Sequence, residues 1–369
     1  ISLYRATLGN ITSKIISGNM AIGDKWGASG GAIAIDGGSD ETGMGDITSD
    51  IISYNKAISS QYSAVGGFLY NYKIFGNITG SLIGNEALGY TGANGGVTAG
   101  PIKKITAEYI SDNRAATEKG NAQGGAIQSV IEQIDAVTVN DNQAISKQGN
   151  AYGGFLYNVW SNTIQSVTGN ILNNEVRGYN EAAGGGIYNA SYRGTASIKK
   201  LSGTMAGNKA ISETGNAYGG AIYNGKIGQI TGDFLNNYAE TASETNKAYG
   251  GAVYVEENMT FTSGADTHFM SGNYTKDGRG KIYNAIYGEL WYGTPVISFD
   301  TADGGAWVIN DNIEGVNYTF KGNDVIDADT GTTTQYVAMN NDIVNSPKVS
   351  VSNTTLKFRS YQHEDRTAK

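Results

Sequence analysis

The chain has no cysteine, only three prolines and two histidines among its 369 residues. Without cysteine there is no disulfide framework and no Cys-based zinc or iron–sulfur site. No apolar run approaches the ~20 residues of a membrane-spanning helix. The opening stretch, ISLYRATLGN, lacks the charged segment and apolar stretch of a signal peptide, so none is expected there. Basic residues are outnumbered, 26 Lys and Arg against 34 Asp and Glu, a formal charge of −8. That balance argues against nucleic acid as a partner, because neutralising phosphates needs a basic face. What is present is glycine, 53 residues, and tyrosine, 24, within a hydrophobic fraction of 39%. This is enough apolar material for a core and excludes a wholly disordered chain.

The glycines are periodic. A Gly-Gly pair followed by apolar residues begins at Gly30, Gly66, Gly95, Gly124, Gly153, Gly184, Gly219 and Gly250, in steps of 36, 29, 29, 29, 31, 35 and 31 residues. A degraded copy, Arg279 to Asn284, is read 29 residues further on. A second signature is an apolar residue, two others, then Asn: Ile52/Asn55, Leu82/Asn85, Ile110/Asn113, Val139/Asn142, Ile171/Asn174, Met205/Asn208, Phe234/Asn237, Met270/Asn273 and Phe320/Asn323 among others. Between them stands apolar-x-x-apolar, as in Ile102/Ile105 and Ile131/Ile134. One unit is thus three short segments rich in Ile, Val, Tyr and Thr, separated by turn residues, which reads as strands. No stretch keeps a helical period. So thin a unit cannot bury its apolar face alone, and stacking on its neighbours is the remedy. The expected fold is all-β, a right-handed parallel β-helix with three strands per coil and about 29–31 residues per coil. About twelve coils at ~4.8 Å would make a rod of roughly 55–60 Å. The Gly-Gly and Asn repeats fill residues 1–284, and residues 285–369 are expected to continue the β-helix with altered corners.

Within the Gly-Gly segment the fourth position is apolar (Ile127, Leu156, Ile187, Ile222, Val253, Ile282), so it should face the core. Alternation then points the third and fifth positions outward. The fifth holds Tyr157, Tyr188, Tyr223, Tyr254 and Tyr283, predicting an external tyrosine ladder. Asn113, Asn142, Asn174, Asn208 and Asn237 should form a structural ladder, amide bonded to amide between coils, with Asn tolerating the left-handed turn. The polar stretches before each Gly pair read as loops that emerge on one side of the rod, where solenoids carry binding function. Beyond residue 285 a different repeat appears, Ile309 to Ile313 and Met339 to Ile343, with Trp291, Trp307 and Phe320 expected to fill that section.

Gly219-Gly220-Ala221-Ile222 and Phe234-Leu235-Asn236-Asn237 match the two signatures of polymorphic outer membrane protein repeats, Gly-Gly-Ala-Ile/Leu/Val and Phe-x-x-Asn. With looser copies through residues 16–284, the chain resembles that repeat class. The resemblance implies a passenger domain of an autotransporter, displayed at a Gram-negative surface and anchored in the outer membrane through a segment outside this sequence. It implies no cofactor. Its partners would be other copies of itself, or glycans or proteins of host or bacterial surfaces, with no membrane insertion by this segment.

Three functions stay in view. The first is a non-catalytic surface rod for adhesion or self-association. The second is the subunit of an extracellular filament. The third is a polysaccharide-acting β-helix enzyme, which needs clustered carboxylates. The candidates for that are Asp40, Glu41, Asp46 and Asp50, and the alternating Asp324, Asp327 and Asp329. His268 and His363 have no Ser or Asp partner that spacing alone supplies. No catalytic or metal residue is expected, and Asn-x-Thr triplets such as Asn10-Ile11-Thr12 and Asn273-Tyr274-Thr275 read as turn chemistry.

Overall fold

The computed structural model describes residues 1–4, 6–36, 45–72, 75–159, 162–190, 196–278, 280–288, 294–301, 305–321, 336–339, 343–344, 349–352 and 355–358. Asp40, Glu41, Trp291, Asn323, Asp324, Asp327, Asp329 and His363 lie outside the described residues. Among the described residues there are strands and no helix. The chain winds into a parallel β-solenoid with three sheets, and one coil shows how.

Past the Gly124-Gly125 corner, Ile127–Gln128 enters the first sheet. The chain turns into the long strand Ile131–Asn140 of the second sheet, and a corner at Asp141-Asn142 leads to Gln143–Ser146 in the third. A polar loop then returns to the short strand Ala151–Tyr152, and Gly153-Gly154 starts the next coil at Leu156–Asn158. Equivalent letters fall into vertical files. Ile127, Leu156, Ile187, Ile222 and Val253 pair rung to rung. So do Ile110, Val139, Ile171, Met205, Phe234 and Met270 in the second sheet. These files face each other and form one continuous apolar core. A second, narrow core lies between the third sheet and the short strands, and it is made almost wholly of alanine, including Ala144, Ala151, Ala182, Ala210 and Ala217. Small side chains there let the two strand layers approach closely.

The two glycines of each pair have different tasks. Gly124 has φ +64°, a left-handed corner. A Cβ on Gly125 would lie 2.0 Å from the Gly154 carbonyl oxygen and 2.5 Å from the Gln143 backbone, so this glycine lets the coil be pinched.

The structure departs from the sequence expectations in five ways. First, apolar-x-x-apolar and apolar-x-x-Asn belong to one sheet, as separate strands in later coils such as Ile227–Thr231 and Phe234–Leu235, and fused in the middle coils. Ile102–Ser111 is such a fused strand, and the third sheet follows the Asn. Second, the third position of the Gly-Gly segment is buried, not external, at Phe68, Val97, Ala126, Phe155, Ala221 and Ala252. It lies in the corner bend, so strand alternation begins one residue later.

Third, about nine turns carry all three sheets, roughly 40–45 Å at the inter-strand spacing, while the first and second sheets run on through twelve paired layers. The third sheet ends in a hairpin, where Tyr274–Asp277 pairs antiparallel with Gly280 to Tyr283. Beyond it the described strands pair only in the first and second sheets, as Ile309 with Met339 and Ile313 with Ile343 do. Fourth, this hairpin displaces the degraded repeat. Ile286, not Ile282, continues the apolar file from Val253. Fifth, Phe320 pairs with Phe299, a different file from the one its spacing to Asn323 suggested.

Candidate functional site

The asparagine corner is a closed system. Asn113 donates from its backbone N–H (3.2 Å) and from Nδ2 (2.9 Å) to Oδ1 of Asn142. Asn142 does the same to Asn174, Asn174 to Asn208, and Asn208 to Asn237. The file starts at Asn19 and runs through Asn55 and Asn85. At the far end Asn237 donates to Asn273, and Asn273 to the carboxylate of Asp311. From Asn55 on, each amide also reaches back to a carbonyl of the coil before, as Asn142 Nδ2 does to Ile110 O at 2.8 Å. From Asn55 to Asn273 these side chains are 0% exposed. The left-handed residue is not the ladder Asn but the one before it: Asp112, Asp141, Asn173 and Asn236 have φ of 57°, 56°, 54° and 54°. This corner holds the solenoid and leaves nothing for a ligand.

The tyrosine file is different. Tyr157, Tyr188, Tyr223 and Tyr254 pair in register. Their ring centroids are 5.2, 4.7 and 5.0 Å apart at interplanar angles of 11°, 25° and 29°. The next member is Tyr287, 6.2 Å from Tyr254, and not Tyr283. Tyr283 lies in the hairpin opposite Tyr274, with Lys281 Nζ 4.6 Å from its ring centre. Nor is the file external. Its rings are half-buried, and Tyr254 is only 2% exposed.

The cover is a second tyrosine file that sequence reading missed: Tyr152, Tyr218 and Tyr249, from the short strands. Tyr152 stands 4.7 Å from Tyr188, Tyr218 4.9 Å from Tyr254, and Tyr249 4.7 Å from Tyr287. The signal was present as Ala-Tyr-Gly-Gly at 151–154, 217–220 and 248–251. The gap in this file is Ala183, which pairs with both Tyr152 and Tyr218. Such aromatic pairs add about 0.5–1.5 kcal/mol each beyond burial.

The phenols are wired to polar partners. Tyr223 donates to the Glu256 carboxylate. Tyr157 accepts from Gln123 Nε2 at 3.1 Å, and Tyr218 from Asn216 Nδ2 at 2.7 Å. Tyr152 accepts from Asn150 at 2.8 Å and is bonded to Glu181. Burial pushes the Tyr157 phenol up to about 12 and raises Tyr152, Tyr188 and Tyr223 further. Burial also raises the Glu181 carboxyl, against the opposing hydrogen bond from Tyr152.

Two hollows flank the groove. One, about 180 Å³, lies where the tyrosine file gives way to Gln128, beside Tyr157. The other, about 220 Å³, lies beside Tyr249 and Tyr287, where the hairpin interrupts the repeat.

The remaining candidates are dispersed. Asp46 Oδ1 accepts from Asn77 N at 2.7 Å and Nδ2 at 3.1 Å, a structural use, and Asp50 is exposed. His268 Nδ1 lies 3.2 Å from Asp233 Oδ1, with its ring 5.2 Å from Trp307, which is fully buried. Among the described residues no group of three or more His, Cys, Asp or Glu could hold a metal ion.

The loops between the third sheet and the short strands bond to one another. Lys119 N donates to Tyr90 O, Tyr179 N to Gly149 O, and Thr214 N to Tyr179 O. They therefore stack along one edge of the solenoid. Comparison of the chain with protein-family models, with curated proteins and with solved structures finds no match in any of the three.

Proposed function

We propose that this chain is a non-catalytic β-helical passenger of the autotransporter type, displayed outside a bacterium, which adheres to a surface or to other copies of itself. The observation that carries the reading is the stacked loop edge. Loops locked to one another by backbone hydrogen bonds present a repeated, stiff contact face with little ordering cost on binding. The tyrosine groove runs beside that edge and adds aromatic area of the kind that anchors interfaces.

The filament reading is less favoured, on a specific ground. The hairpin at Tyr274–Asp277 caps one edge of the third sheet, which opposes end-to-end growth through all three sheets. The enzyme reading has little support. The Asp46 carboxylate is taken up by Asn77, and Asp50 stands in no acidic cluster among the described residues.

The test is binding of the purified chain to cells, matrix and glycan surfaces, with sedimentation in parallel. Binding or a concentration-dependent assembly is expected. A strictly monomeric rod that ignores every surface overturns the reading. Cleavage of an acidic polysaccharide, abolished by Asp50→Asn, would put an enzyme in its place.

A further inference from the structure

The 220 Å³ hollow at the upper end of the tyrosine groove lies where the hairpin breaks the repeat, and a buried polar atom is left over in its lining. Its walls are the Tyr249 and Tyr287 rings, 4.7 Å apart and tilted by 48°. Its floor includes Asn284, which is 3% exposed and whose Oδ1 has no hydrogen-bond partner. Lys247 and Glu314 stand at the rim, with Thr275 on the hairpin side. Among the described residues the asparagines of the corner ladder saturate one another, whereas in the first sheet Asn224 Oδ1, like Asn284 Oδ1, has no partner. Asn284 is not part of that ladder, which passes from Asn273 to Asp311, and the hairpin also sets it four residues away from Gly288, which continues the first-sheet file of Asn158, Asn189 and Asn224. An unmatched acceptor at this burial is unfavourable, and a bound donor would satisfy it.

We infer that this hollow binds the terminal pyranose of a surface glycan. The occupant must bring an O–H or N–H to Asn284 Oδ1 and further donors to Glu314, so it is rich in donors. It must also offer a C–H face to an aromatic wall, whose ring faces are electron-rich. Two rings tilted by 48° do not form the parallel slot that a flat base or indole would enter. The volume is below the ~300–1,000 Å³ of pockets that engulf drug-sized ligands, and it suits one sugar ring rather than a chain. A lysine and a glutamate together keep the rim near neutral, which favours a neutral hexose over a hexuronate. The inference deepens the adhesive reading and rests on it only for the source of the sugar.

The experiment uses the full chain and the methyl glycosides of glucose, galactose, mannose, N-acetylglucosamine and glucuronate, read by saturation-transfer NMR and titration. Binding of at least one neutral glycoside is expected, with a dissociation constant on the order of 1–10 mM. Asn284→Leu and Tyr287→Ala should each weaken it about tenfold or more, whereas Tyr109→Ala, at an exposed ring of the second sheet, should leave it unchanged. If Asn284→Leu fails to fold, the exposed-rim variant Lys247→Ala takes its place and should weaken binding measurably. No binding by any glycoside, or binding that survives both Tyr287→Ala and the Asn284 or Lys247 variant, overturns the inference. Failure here with surface adhesion intact leaves the adhesive reading standing. Sugar binding without adhesion does the reverse.

Discussion

The asparagine corner and the tyrosine groove run along the same solenoid, yet they are built by opposite rules. In the corner one letter is repeated without a break from Asn19 to Asn273, and from Asn55 onward every side chain is fully buried. In the groove the corresponding files are mixed. The first-sheet file reads Tyr70, Ala99, Gln128, and only then Tyr157, Tyr188, Tyr223, Tyr254 and Tyr287. A buried amide ladder tolerates no vacancy, because each member completes its neighbour. A half-buried aromatic file tolerates several, because a missing ring removes area and leaves no polar atom unmatched. The corner is therefore where this chain is held, and the groove is where it is free to differ along its length.

The contrast is sharpest under substitution at the backbone that separates the two regions. Gly125→Ala should have the largest effect. The new Cβ would meet the Gly154 oxygen at 2.0 Å and the Gln143 backbone at 2.5 Å, and neither is the yielding end of a side chain. A loss above about 4 kcal/mol is expected, the range of overpacking with backbone displacement. Hydrogen exchange should show coils around residues 114–175 opening, since a solenoid fails locally before it fails globally.

Next comes Asn142→Ala. It strips Asn113 of the acceptor for two donors and frees the carbonyl of Ile110. The expected loss is on the order of 2–4 kcal/mol. Asn142→Asp should cost more, because a buried carboxylate still accepts from Asn113 but sets an oxygen against Asn174 Oδ1 and Ile110 O, to which the Asn142 amide donates; Asp311 is accommodated because it ends the ladder. Equal losses for the two variants would show that the ladder works by shape and not by hydrogen bonding.

The ladder and the coil were legible before any coordinates, because a fixed period and an apolar file specify register directly. Ile110, Val139 and Ile171 could be placed on successive rungs from spacing alone. The end of the tyrosine file was not legible, for a physical reason. Lys281-Ile282-Tyr283 and Ala285-Ile286-Tyr287 share the same alternation, and a shift by an even number of residues leaves every side chain on its own face. Only the antiparallel pairing of Tyr274 with Tyr283 decides between them, and that pairing is tertiary. The burial of Phe155 and Ala126 was misread because alternation was counted through a corner, where the chain is not extended. Tyr152, Tyr218 and Tyr249 were visible as letters but were assigned to loops. Nothing local says that a two-residue strand will fold back to cover a groove.

The groove has its own test, and it is gentler. The Tyr157 phenol is raised by burial from 10.0 to about 12, so the folded chain favours the neutral form. Stability from this group is fully present below pH 10, and it is lost as the pH climbs from about 10 towards 12, where the folded chain must ionise a phenol that the unfolded chain has already ionised. A rise of that size corresponds to roughly 2–3 kcal/mol at most. Tyr152, Tyr188 and Tyr223 are displaced in the same direction by the same cause. Tyrosinate absorbance followed from pH 9 to 13 should therefore show two populations. The groove rings should form the late one, ionising together with loss of β-structure by circular dichroism. Tyr157→Phe should remove one late-titrating phenol and leave the asparagine corner's slow-exchanging amides in place. If all tyrosines titrated together below pH 11 with the solenoid intact, the groove would be open to water, and the distinction between a held corner and a covered aromatic file would fail.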